Sequence, residues 1–182
     1  MPPLAKPAEP PGEAVNIEIL ALTYGAIVRQ LLADLEDVSV VNAKLKQMGK
    51  NIGTRLIEEY LAKSRQTRCV SFQDTARSIA EVAFPMFLGV RGEVAPVGDG
   101  KAECTIRLRE IPLADFVEIP DDLRGLRYCN LVTGVVEGAL DRVNMRVTCN
   151  LVKDMLAGDP EYELQLMLES AGNEAYPFGE DD

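Results

Sequence analysis

From Asn16 the apolar positions recur at helical spacing: Ile17, Leu20, Ala21, Tyr24, Ile27, Val28, Leu31, Leu32 and Leu35. This predicts an amphipathic helix over 17–35 with Asn16 capping its first turn. A second helix is expected over about 40–63, with Val41, Leu45, Met48, Ile52, Leu56 and Tyr60 on one stripe and Gly49 and Gly53 beside it. A glycine inside a helix costs roughly 1 kcal/mol, so two of them point to a partner element packed closely there. The stretch Ser-Phe-Gln-Asp (71–74) offers Ser71 as the N-cap of a third helix, with Asp74 three residues on. Its buried stripe is expected to be Phe72, Ala76, Ile79, Ala83 and Phe87, with a kink at Pro85.

Past Gly89 the period falls to two. Cys104, Ile106 and Leu108 alternate with Glu103, Thr105 and Arg107, and a shorter strand near 92–97 precedes them, giving a hairpin around Gly98–Gly100. A fourth helix is expected over about 121–143, opening on Asp121 and Asp122 and burying Leu131, Val132, Val135, Ala139 and Val143. Gly134 and Gly138 within it predict a close helix crossing. Two further alternating strands follow, around 145–151 and 161–168, joined by a turn at Ala-Gly-Asp-Pro. Clean alternation means one wet face, so the fold class is α+β: helices on one face of a small antiparallel four-stranded sheet, in the order ααα-ββ-α-ββ.

The ends differ in composition. Residues 1–15 form a Pro-rich segment too poor in apolar surface to order itself, residues 16–172 suit a single domain, and residues 173–182 form an acidic C-terminal tail. Within that tail Tyr176 and Phe178 are the side chains suited to dock on a partner. The net charge of −10 repels phosphate backbones, so nucleic acid is not an expected partner. With no apolar export segment and no long uncharged apolar run, the expected location is the cytosol. The glycine pairs have the spacing of membrane dimerisation motifs, but Lys50, Arg55 and Glu137 share those segments, which favours close packing in water.

Candidate chemistry reduces to one thiol. The four cysteines (69, 104, 129 and 149) contain no metal-binding pair, and the complete absence of histidine removes the usual general base from thiol and serine schemes. Cys104 and Cys149 fall on apolar strand faces and Cys129 near the start of the fourth helix, which reads as core. Cys69 lies beside Arg68, near Arg65 and just ahead of the third helix, all of which favour its thiolate. Two readings stay open on spacing alone: a reactive thiol, or a small buried side chain.

Four stretches carry a resemblance: LTYGAIV (22–28), MGKNIGTRLIEEYLA (48–62), RCVSFQDTA (68–76) and PLADFVEIPDDLRGLRYCNLVTGVVEGAL (112–140). Over roughly residues 17–170 the chain resembles the core subunits of the TRAPP vesicle-tethering complex, of the Bet-three type. The resemblance implies an α+β fold that pairs with other subunits of the same fold as homo- or heterodimers. It further implies a part in guanine-nucleotide exchange on a Rab-type GTPase, without an active site of the chain's own, and a cytoplasmic, peripheral place at cis-Golgi and endoplasmic reticulum membranes. It places a palmitoyl thioester on Cys69, supported by Arg68, with the chain held in an internal channel and no other cofactor. Burying about 14 methylenes at about 0.8 kcal/mol each contributes roughly 11 kcal/mol before ordering costs, and a single chain without a basic patch anchors only reversibly, so burial in the domain is the expectation. The alternative is a free-standing small-molecule or lipid-binding domain of the same fold.

Overall fold

A computed structural model describes residues 16–64, 71–97 and 102–171. Three helical segments come first: α1 (Ile17–Leu35), α2 (Val38–Ser64), and a segment made of α3 (Phe72–Ser78), a π-turn (Ile79–Ala83) and α4 (Phe84–Leu88). Strands β1 (Glu93–Pro96) and β2 (Glu103–Leu108), helix α5 (Asn130–Arg142), and strands β3 (Met145–Lys153) and β4 (Tyr162–Ala171) follow. The sheet is antiparallel throughout, in the order β1-β2-β4-β3. The α+β class and the ααα-ββ-α-ββ order are therefore those the pattern predicts.

Register explains the core. Cys104 of β2 and Cys149 of β3 both lie opposite Leu166 of β4, and Ile106 and Leu151 both lie opposite Leu164, so apolar rows run across three strands. All are buried beneath the helices. The other face is charged: Glu163 accepts from Lys153 at 2.8 Å and lies 3.5 Å from Arg107. Period-two alternation is thus resolved as one dry and one wet face.

The predicted glycine pairs meet each other. A Cβ on Gly49 would lie 2.1 Å from the Leu131 carbonyl oxygen, one on Gly53 2.1 Å from that of Val135, and those on Gly134 and Gly138 2.0 and 2.1 Å from those of Lys46 and Lys50. Such distances exclude any side chain, so α2 and α5 cross backbone against backbone. This turns α2: Val41, Leu45, Gly49 and Gly53 are its buried residues, whereas Ile52 is exposed and Met48, Leu56 and Tyr60 are half-buried. The apolar stripe expected there is displaced because backbone contact, not side-chain hydropathy, sets the inner face.

Three further expectations are corrected. The fourth helix starts at Asn130 rather than near 121, and Asp121–Leu123 is a short 3₁₀ turn. Asn42 of α2 is the cause: its side chain donates to the Gly125 carbonyl at 2.8 Å and accepts from the Arg127 N–H at 2.7 Å, holding 125–127 outside a helix. On α5 the buried residues are Val132, Thr133, Val136, Glu137 and Leu140 with the glycines, while Val143 is exposed and Leu131, Val135 and Ala139 are half-buried against the crossing. The third helical segment changes phase at the π-turn, where the Phe84 N–H donates to Ile79 rather than to Ala80. Pro85 has no N–H to give Glu81 and its ring crowds that turn, so the extra residue relieves both, a π-bulge where a kink was expected. Its buried side is consequently Phe72, Ala76, Ala80 and Phe84.

Candidate functional site

Cys69 and Arg68 lie in the link 65–70, and Tyr176 and Phe178 lie in 172–182; both stretches fall outside the described residues. What borders the link is defined. α2 ends at Ser64, and Ser71 caps α3 by accepting from the Asp74 N–H at 3.1 Å while its own hydroxyl donates to the Asp74 carboxylate at 2.8 Å. Tyr60 and Ser78 share a hydrogen bond of 2.5 Å that ties the last turns of α2 to α3. Behind the cap, Phe72, Ala76, Ala80 and Phe84 present a buried apolar face to the sheet. The described residues that border the link, Ser64 and Ser71, thus close two helices packed near buried apolar surface.

The other three cysteines are closed to chemistry. Cys104, Cys129 and Cys149 are at most 1% exposed, and burial raises each thiol, that of Cys104 to about 11. A neutral buried thiol is a poor nucleophile. Among the described residues no group of His, Cys, Asp or Glu is arranged to hold a metal ion, and no helix is long and apolar enough to cross a membrane.

Sequence reasoning set Glu137 aside as a membrane-incompatible charge, and the structure gives it a place. It is 6% exposed and receives Lys46 at 2.7 Å, Lys50 at 2.8 Å and the Cys149 N–H at 2.7 Å. Burial by itself would raise its pKa, but the hydrogen bonds from Lys46, Lys50 and the Cys149 amide outweigh that and hold it below the usual value. Lys46 also donates to the Cys149 carbonyl at 2.9 Å. Because β3 is an edge strand, these two side chains cap the N–H and C=O that Cys149 turns away from β4. The one signal in the sequence was Lys46 and Lys50 four apart on the helix predicted to cross Glu137. Asp154 is also buried, and burial pushes its carboxyl up despite the Leu156 N–H it accepts and the nearby Arg127.

The surface is apolar where α1 stands. It carries the exposed side chains of Ile19, Leu20 and Ile27, and Val40 at the start of α2 is exposed as well. On the side of α1 away from Leu20 and Ile27, Ala21, Gly25 and Ala26 form one wall of a groove of about 660 Å³, faced by Phe116 and Tyr128.

An α+β domain whose described thiols are all buried, with an open apolar helix flank, has the form of an assembly subunit. The chain belongs to the family of transport protein particle (TRAPP) components, whose model matches residues 20–167. Among curated relatives it is similar to trafficking protein particle complex subunit 3 of Dictyostelium discoideum, at 46% identity over 93% of this chain and 91% of that one. It is also similar to trafficking protein particle complex subunit BET3 of Saccharomyces cerevisiae, at 39% identity over 93% of this chain and 89% of that one. Among solved structures it matches a trafficking protein particle complex subunit 3 from Naegleria fowleri covalently bound to palmitic acid. That match has a TM-score of 0.82 and 44% identity, covering 86% of this chain and 96% of that one.

Proposed function

We propose that the chain is a core subunit of a TRAPP tethering complex acting in endoplasmic reticulum-to-Golgi and Golgi vesicle transport, and that Cys69 carries a palmitoyl thioester held inside the domain. The observation that carries this reading is the 44% identical subunit 3 structure covalently bound to palmitic acid. Accessibility supports the assignment, since Cys104, Cys129 and Cys149 are buried and leave Cys69 as the thiol able to meet an acyl donor. Arg68 beside it raises the thiolate fraction. Thioester formation joins Sγ to the acyl carbonyl carbon, and the donor's thiol leaves with the proton.

The reading is tested by intact-mass analysis of protein from a eukaryotic host. A hydroxylamine-labile increment of palmitoyl size is expected, and Cys69→Ser should abolish it. An increment that survives the replacement, or none in the parent chain, refutes the assignment.

The exposed flank Ile19, Leu20 and Ile27 suits pairing with a second subunit of the same fold, as homo- or heterodimer. The assembled complex acts on a Rab-type GTPase at the cytoplasmic face of cis-Golgi and endoplasmic reticulum membranes. This chain adds contacts rather than an acid–base pair, and Tyr176 and Phe178 in the tail are the contacts we assign to it. An assembled complex lacking residues 175–182 should exchange nucleotide more slowly; full-rate exchange would remove the tail from the mechanism.

A further inference from the structure

Among the described residues the Tyr128 hydroxyl is the one buried side-chain polar atom without a hydrogen-bond partner. Tyr128 is 3% exposed, and Tyr24 meets its ring edge-on with centroids 4.8 Å apart. Buried hydroxyls are nearly always paired, because an unpaired one forfeits its bonds to water. The oxygen lies 3.4 Å from where a Cβ on Gly25 would stand, so Gly25 adds no side chain to its cover. Over that point runs the groove of about 660 Å³. Its volume falls in the range of sites that hold small molecules or short peptides. Phe116, 66% exposed, forms an aromatic wall, and Arg29 at the rim makes no ion pair among the described residues.

We propose that the Pro-rich segment 1–15 folds back along α1 and docks in this groove, one of its main-chain carbonyls accepting the Tyr128 hydroxyl and its acidic side chains facing Arg29. Three arguments select this occupant. The first is chemical: with prolines at 2, 3, 7, 10 and 11 the segment favours an extended helix whose carbonyls have no internal partners, the kind of ligand that aromatic-lined grooves accept. A helix from a second copy has spent its mid-helix carbonyls internally and could meet the hydroxyl only with a side chain or its C-terminal turn.

The second is reach. The segment joins α1 at Asn16, and the groove runs from Ala21 to Ala33, a rise of about 18 Å at 1.5 Å per residue. About six extended residues at 3.1 Å each span it, which leaves Gly12 and its neighbours to reverse the chain. The third is charge, since Glu9 and Glu13 outnumber Lys6 in the segment. Leu20 and Ile27 lie on the other side of α1 from Gly25 and Arg29, so docking there leaves those two side chains open for pairing.

The test compares Tyr128→Phe in the full chain with the same change in a full chain whose Pro7, Pro10 and Pro11 are replaced by Gly, at one protein concentration. In the native segment the change should lower Tm by about 2–4 °C, the shift expected for one lost hydrogen bond in a chain of this size. In the glycine chain Tm should stay the same or rise, because the hydroxyl then has no partner to lose. Equal lowering in both overturns the proposal and assigns the hydroxyl's partner elsewhere, a second copy being indicated if the shift grows with dilution. No lowering in either also overturns it. Independently, the amide resonances of Gly25, Ala26 and Arg29 should move between the native and glycine segments; unchanged resonances contradict docking.

Discussion

Glu137 shows how a single buried charge can be structural. With Lys46 and Lys50 only part-exposed and the Cys149 N–H directed at it, the carboxylate joins α5 to α2 and to the outer edge of β3. Glu137→Gln keeps the shape but removes the charge and should lower stability by about 2 kcal/mol, less than for a fully buried pair because the lysines can reach water. Because its pKa is lowered on folding, its contribution is complete above the ordinary value of 4.5 and is lost as pH falls through the lower folded value. Urea denaturation as a function of pH should therefore show the Gln variant losing less stability than the parent below pH 4.5. Equal acid sensitivity would mean that folding leaves this carboxyl's pKa unchanged, so that the clamp does not favour its charged form.

At the scale of elements the α2–α5 crossing dominates. Alanine is the better helix former by roughly 1 kcal/mol, yet at Gly49 or Gly53 its methyl would overlap the Leu131 or Val135 carbonyl, and backbone cannot swing aside as a side chain can. Gly49→Ala and Gly53→Ala should each cost about 3 kcal/mol net, read by urea denaturation. Gly125→Ala is the control, since its nearest neighbour would be Val38 Cγ1 at an ordinary 3.6 Å, and its effect should stay within about 0.5 kcal/mol. The cap of α3 is a smaller term: Ser71→Ala removes the acceptor for the Asp74 N–H and should cost about 1 kcal/mol, a Tm shift of roughly 2–4 °C.

For the whole molecule, an apolar flank left open on α1 is the feature a lone domain does not need. Contiguous exposed apolar surface of this kind marks association sites. Leu20→Glu with Ile27→Glu should leave the circular dichroism spectrum unchanged and shift light scattering at micromolar concentration from dimer to monomer. A clean monomer in the parent chain would contradict pairing through this flank. The acylation proposed for Cys69 predicts a separate effect: Cys69→Ser should lower thermal stability in protein from a eukaryotic host and leave it unchanged in protein made without an acyltransferase.

Local chemistry was legible in the chain. Asn16 and Ser71 cap the helices assigned to them, Cys104, Ile106 and Leu108 are buried as their alternation requires, and the paired glycines announced a close crossing, because caps, pleats and steric exclusion depend on a few neighbouring residues. The resemblance in 22–28, 48–62, 68–76 and 112–140 carried the family, which the comparisons show. Hydropathy could not fix which face of α2 turns inward, since glycine carries almost none and the face was chosen by backbone contact with α5. Nor could it start α5 at Asn130, where a side chain 88 residues earlier, Asn42, takes the backbone bonds a longer helix would have used. The clamp on Glu137, the unpaired hydroxyl of Tyr128 and the open flank of α1 likewise exist only once distant segments meet. Sequence determined what each segment could become, and tertiary contact decided which faces, ends and polar groups were left to satisfy.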